Sequence, residues 1–209
     1  TTSTIHTMRH LTGERQQKAI WRYPLTWALT LSMGLQSLLF YTTAAWIPSM
    51  LTAQGISANT AGVMFSTMQL AQLPMTFLIP ILADKTKDQR GLVIMFSVLN
   101  IIGFGGLLLG LTDFTWLWMI LLGLAGGASF GICMMFFSVR ARNAYEAAEL
   151  SGFGQSIGYL LAAVGPVLYS YIHDAFGGYD NANYLYMIVT ILLFICAYIG
   201  AKDRFVTND

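Results

Sequence analysis

At 209 residues the chain is 56% hydrophobic and only 10% charged, where a soluble domain averages roughly 45–50% and about 25%. That excludes an ordinary water-soluble fold. Eleven Lys and Arg against ten Asp and Glu leave a net charge of +1, and no clustered basic face marks a nucleic-acid partner.

Residues 1–22 are polar and basic and begin at Thr1. They lack the 7–15 residue apolar core of a signal peptide, so the expectation is a cytoplasmic linker leading into a membrane domain. His6 and His10 stand four apart there, a spacing that on a helix could offer two imidazoles to a metal, but in a polar tail no metal site is expected.

Beyond the linker the placement of charge sets the elements. From Arg22 to Asp84 run 61 uncharged residues, and further uncharged runs cover 91–112, 114–139, 150–173 and 181–201. A spanning helix takes about 20 mostly apolar residues, so the first run holds two spans and each of the others holds one. Helices are predicted at about 24–52, 57–82, 91–111, 116–139, 151–173 and 183–201. Gly55, Thr112 with Asp113, and the segment Phe176 to Asn183 supply the turns between spans. No alternating strand pattern appears, and helices satisfy every backbone group in hydrocarbon. The expected fold class is an all-α membrane protein with a six-helix bundle over 23–201 and a cytoplasmic tail over 202–209.

All eleven cations fall on one side of this map: Arg9, Arg15, Lys18 and Arg22, then Lys85, Lys87 and Arg90, then Arg140 and Arg142, and finally Lys202 and Arg204. The positive-inside bias then puts both termini in the cytoplasm of a cell whose inner membrane the bundle spans. Trp21 and Tyr23 fit an aromatic belt at the inner boundary, and Phe114, Trp116, Tyr169 and Tyr184 one at the outer boundary.

The predicted spans contain no Asp, Glu, Lys or Arg, so no buried proton relay is visible. Their polar chemistry rests on amides, hydroxyls and rings: Gln36, Tyr41, Thr43 and Trp46 in span one, Gln69 and Gln72 in span two, Asn100 in span three, and Gln155, Ser156 and Tyr159 in span five. Gln36, Phe40, Thr43 and Ile47 share one helical face, and so do Gln155, Tyr159, Ala162 and Pro166. Such faces grip a small ligand or hydrogen-bond between helices. Gly123, Gly127 and Gly131, and Gly154 with Gly158, form GxxxG steps that let backbones approach closely. Pro48, Pro74, Pro80 and Pro166 interrupt helices. Cys133 and Cys196, inside spans, read as small packing residues, and no cofactor is expected.

Six spans with both ends on one side divide into three plus three of opposite orientation, the arrangement of an inverted repeat. DKTKDQRG at 84–91 resembles the degenerate loop motif in the second half of major facilitator proteins, with Pro80 and Lys87 standing where the fuller motif has Gly. EAAELSGFGQSIGYLLAAVGPVLYSYIHD at 146–174 resembles span eleven of the cyanate permease and 2-nitroimidazole transporter branch, as do FYTTAAWIPSML at 40–51 and MQLAQLP at 68–74. The resemblance covers residues 20–201. It implies that these helices are spans seven to twelve of a twelve-span carrier, partnered by the lipid bilayer and by a first six-span half that is cleaved, truncated or a separate chain. It also implies a compact solute held at midmembrane by spans seven, eight, ten and eleven. The site residues are then Gln36, Tyr41, Trp46, Gln69, Gln155 and Tyr159, and any charge on an anionic solute is neutralised by the other half.

The same resemblance implies an inner gate in which Asp84 pairs with Arg140, with Glu149 adding negative charge where a helix dipole favours it. Two other readings stay open. A six-span channel or self-assembling scaffold would pair copies through the face of Gln36 and Gln155, and an intramembrane protease would join Ser129 to His173. The topology has a direct check: cysteines introduced at Gln54, Thr112 and Gly178 react with an impermeant thiol reagent on intact cells, and those at Thr86, Asn143 and Thr207 do not. The opposite labelling pattern reverses the map.

Overall fold

The computed structural model describes residues 19–208, so His6 and His10 lie outside the described residues. Its long elements are α1 (Pro24–Ala53), α2 (Ala58–Asp84), α3 (Arg90–Leu108), α4 (Thr115–Val139), α5 (Ala144–Phe176) and α6 (Tyr179–Ala201), with single 3-10 turns at Ile20–Arg22, Thr112–Phe114 and Val206–Asn208. No strand occurs among the described residues.

Local chemistry sets the ends of these helices. Pro24 occupies the first turn of α1, where its missing N–H leaves no bond unmade. The Ser57 side chain caps α2 by accepting from Thr60 N, and Asn143 caps α5 by accepting from Glu146 N at 2.8 Å. That cap starts α5 seven residues before the predicted 151: the uncharged run measures only the apolar stretch, and a helix continues into water wherever a cap and good helix formers allow. The opposite end of α5 stops at Gly177, whose φ of +78° suits a residue without a Cβ. The connection to α6 therefore shrinks from the expected Phe176 to Asn183 to two glycines.

Charge gaps count six spans, whereas length and apolar composition together pick out four: Ala58–Asp84, Arg90–Leu108, Thr112–Val139 and Tyr179–Ala201. The other two helices, α1 and α5, have 30 and 33 residues, or roughly 45–50 Å at 1.5 Å per residue. They are long enough and less apolar. In α1 part of that polarity is turned inward on the helix itself, Ser32 Oγ donating to Ala28 O at 2.7 Å and Thr43 Oγ1 to Phe40 O at 2.8 Å.

The helices do not pack chiefly on their neighbours in sequence. α1 lies mainly against α5, α2 against α4, α3 against both α4 and α6, and α6 also against α1. Glycines permit the two principal crossings. A Cβ on Gly34 would sit 3.1 Å from Gly158 O and 3.2 Å from Gly158 Cα, so α1 and α5 touch backbone to backbone. On α4, a Cβ on Gly123 would strike the Met68 carbonyl and one on Gly127 the Gln72 carbonyl, both on α2. The GxxxG steps read from the sequence are thus the seams of the bundle.

One end of the bundle is tied by Arg140, which is 2% exposed directly after α4. Its Nε donates to Gly200 O at 2.9 Å and its Nη2 to Ala201 O at 2.8 Å and to Gln89 Oε1. Gln89 N also donates to Ala201 O at 3.1 Å, and Arg140 O accepts from Val206 N at 2.8 Å. A buried cation therefore satisfies the carbonyls that the last turn of α6 leaves open and ties them to the start of α3.

The far end is closed by rings. Tyr169, read from sequence as an outer belt residue, is fully buried, its ring tilted against those of Trp46 and Tyr186, each 5.2 Å away, and its hydroxyl donating to Asn183 Oδ1 at 2.6 Å. Its hydroxyl finds a protein partner, so the ring has no need of an interface.

Three substitutions test these contacts by thermal unfolding of the complete protein in detergent. Gly127→Ala drives a methyl into the Gln72 backbone and costs about 1–3 kcal/mol; an unchanged midpoint would mean that the α2–α4 seam can open freely. Arg140→Met leaves buried carbonyls without donors and costs about 2–4 kcal/mol. Asp203→Asn, whose carboxylate is 3.7 Å from Arg140 and 58% exposed, costs about 0–1 kcal/mol.

Candidate functional site

Two adjoining cavities lie in the bundle, the larger among α1, α2, α4 and α5 and the smaller among α1, α2, α3 and α4. The larger encloses about 310 Å³. Gln36, Ser37, Phe40 and Tyr41 of α1 form one wall, Gln72, Leu73 and Thr76 of α2 the facing one, and Phe130 of α4 and Tyr159 of α5 complete it. These positions fall one turn apart on their helices, as a single face requires. No charged residue contributes to the lining. Tyr41 and Tyr159 are 46% and 41% exposed, so the cavity opens beside them, on a face not covered by the rest of this chain.

The smaller cavity, about 30 Å³, lies deeper and shares Gln36, Phe40 and Gln72 with the larger one. Thr43, Asn100, Gly126 and Ser129 add its remaining polar and small surface.

Hydrogen bonding decides which groups are available to a ligand. Thr76 Oγ1 donates to Gln72 O at 3.0 Å, and Ser129 Oγ donates to Gly126 O at 3.0 Å, so both hydroxyl protons are spent on their own helices. Gln36 Oε1 accepts from Ser37 Oγ at 3.3 Å, which engages its oxygen and not its amide N–H groups. Among the described residues no protein partner engages the Tyr41 and Tyr159 hydroxyls or the Gln72 amide. The site is a set of neutral donors and acceptors in an aromatic frame, suited to orienting a small polar molecule by hydrogen bonds.

Of the residues singled out from sequence, the structure brings Gln36, Tyr41 and Tyr159 together and separates the others from them. Gln69 is half-buried one turn before Gln72 and lines neither cavity. Gln155 Nε2 donates to Ser151 Oγ at 2.7 Å, closing a bond within α5. Trp46 sits at the aromatic end, its Nε1 donating to Pro166 O at 3.3 Å and its ring 5.6 Å from His173. Among the lining residues outside that set are Gln72, Phe40 and Phe130. Gln72 carried a signal, a second amide in the same apolar span; Phe130 carried none.

The expected gate pair is not formed here. Arg140 is turned toward α6 and Asp203, while Asp84 and Glu149 are both exposed at the same end of the bundle. Arg140 takes the α6 carbonyls because they are buried with it, whereas an exposed Asp84 loses little by keeping its water. Nearby in the α2–α3 loop, Asp88 and Arg90 pair at 2.8 Å. Slight burial pushes the Asp88 carboxyl up, but hydrogen bonds and charge from Arg90 outweigh it, so its pKa lies below the ordinary carboxylate value.

Ser129 and His173 form no dyad. His173 is in the last turn of α5, its Nδ1 3.0 Å from Asp174 Oδ1 and its ring 4.5 Å from that of Tyr179, while Ser129 faces the inner cavity on α4. Both cysteines are free thiols.

An uncharacterised transporter of Bacillus subtilis, YycB, is 40% identical over 196 residues, which is 93% of this chain and 49% of that protein. The 2-nitroimidazole transporter of Escherichia coli is 36% identical over 187 residues, 90% of this chain and 47% of its own length. The cyanate transport protein CynX, also of Escherichia coli, is 28% identical over 172 residues, 81% of this chain and 44% of its length. The chain thus spans about half the length of the curated relatives it matches. The sequence profile of the Major Facilitator Superfamily matches residues 5–166, and together with these identities it establishes that the chain belongs to that superfamily.

Proposed function

We propose that this chain is the C-terminal six-helix half of a secondary carrier that moves a small, compact, polar solute across the inner membrane by alternating access. The observation that carries the reading is the uncharged 310 Å³ cavity walled by α1, α2, α4 and α5 and open on one side. Relatives named for 2-nitroimidazole and cyanate suggest a planar nitro compound or a linear anion as solute. An anion here meets donors but no cation, so its charge is balanced by residues of the other half.

In this reading all six helices span the membrane. α1 and α5 are less apolar than the rest because both contribute polar residues to the cavity, where helices need not match the lipid. Both termini lie in the cytoplasm, on the side that carries the Lys and Arg residues. A three-plus-three repeat is supported by the packing: exchanging α1–α3 with α4–α6 turns the α1–α5 contact into α4–α2 and the α3–α4 contact into α6–α1. The partner that closes the open face is a preceding six-span half. The gate is centred on Arg140, which already joins α3, α4 and α6.

Gln36, Tyr41, Gln72 and Tyr159 contact the solute. Uptake by the complete carrier of radiolabelled cyanate and 2-nitroimidazole tests this. Tyr41→Phe, Gln72→Ala and Tyr159→Phe each remove one hydrogen bond worth about 1 kcal/mol and raise KM roughly fivefold, more in combination, at normal membrane levels. A triple variant with wild-type KM for every transported solute would refute the assignment.

A further inference from the structure

We infer that the small inner cavity is a terminal subsite of the solute site, one that takes a single hydrogen-bond acceptor atom at the end of a compact solute: a nitro oxygen, or the end of a short linear anion. The inference rests on the carrier reading and adds to it where, and by which end, the solute is held.

Three observations carry it. Asn100 of α3 lines this cavity at 3% exposure, and its Nδ2 is buried without a hydrogen-bond partner. An unmet buried amide donor is a standing cost that a ligand acceptor removes. Asn100 does not line the larger cavity, so a solute lying only there would not satisfy it.

The second observation is the company that Asn100 keeps. Gln36 brings amide N–H groups whose oxygen is already engaged by Ser37, and Gln72 brings a further amide. Three carboxamides from three helices meet with no acid or base among them, which favours a neutral or charge-delocalised acceptor over a metal cation. The third is size and continuity. About 30 Å³ accommodates an object no larger than a water molecule, so a whole solute does not fit but its terminal atoms do. Gln36, Phe40 and Gln72 belong to both cavities, so the body of the same molecule can lie in the larger one.

Selectivity follows from the geometry: a solute with an acceptor at its tip gains the Asn100 bond, and a ring of the same size with no acceptor lone pair, such as pyrrole, does not. Asn100→Leu removes the donor. Gly126→Ala narrows the subsite from α4, because the new Cβ would sit 3.2 Å from the flexible Gln72 Nε2 and need not disturb the backbone. Uptake and ligand-induced thermal shift are measured on the complete carrier with cyanate, 2-nitroimidazole and pyrrole. Both variants are expected to raise KM for the acceptor-tipped solutes about tenfold, with maximal rate retained and any pyrrole response unchanged. Should Asn100→Leu fail to reach the membrane, Gly126→Ala decides alone. If the wild-type carrier transports cyanate or 2-nitroimidazole and the variants do so with unchanged KM, or if pyrrole is affected equally, the subsite is overturned while the carrier reading stands. If the wild type neither binds nor moves either acceptor-tipped probe, both fall together.

Discussion

The bundle depends on two places where helix backbones touch: α1 on α5 at Gly34 and Gly158, and α2 on α4 at Gly123 and Gly127. In hydrocarbon no hydrophobic drive separates helix from surroundings, so association relies on close packing and on polar groups meeting each other. Contact at these seams sets which face each helix shows to its neighbours. On α4 the seam residue Gly127 lies against the Gln72 backbone, and its neighbour Gly126 lies against the Gln72 side chain. One crossing therefore both fastens α2 and delivers its amide to the cavity.

The two ends of the bundle are closed by different chemistry. At the Arg140 end a buried guanidinium gathers carbonyls and an amide oxygen from α6 and the turn before α3. At the other end Trp46, Tyr169, His173, Tyr179 and Tyr186 form a chain of ring contacts joining α1, α5 and α6, and Phe104 of α3 stacks on Tyr186 at 4.7 Å. Hydrogen bonds to a charged group are directional and fail all at once when strained, whereas ring contacts tolerate sliding.

Between the ends, the polar side chains divide into those that are used up and those that are not. Ser32, Thr43, Thr76 and Ser129 give their protons to their own helices, which satisfies them without any partner. Of the carboxamides and phenols, Gln155 bonds within its own helix, whereas Gln36, Gln72, Asn100, Tyr41 and Tyr159 line the two cavities. No charged side chain enters either lining, and an isolated ion would be costly in so apolar a surrounding.

The sequence by itself determined the class, the number and approximate limits of the helices, and the seams, because uncharged runs and GxxxG spacing are local properties of the chain. It also exposed Gln36, Tyr41 and Tyr159, since an amide or phenol in an otherwise apolar run is visible without coordinates. Only the tertiary structure shows that Gln72, and not Gln69 one turn before it on α2, lines the cavities, because that turns on how α2 rotates against α4. It sent Arg140 to the end of α6 instead of to Asp84, because burial and open carbonyls outweigh a charge at similar depth that remains in water. It placed Trp46 and Tyr169 side by side in one aromatic cluster, because α1 packs on α5 and the Tyr169 hydroxyl finds Asn183 across the two-glycine turn to α6. And it brought Asn100 to the wall of the inner cavity, since the packing of α3 on α4 is written in the shape of both helices and in neither segment alone.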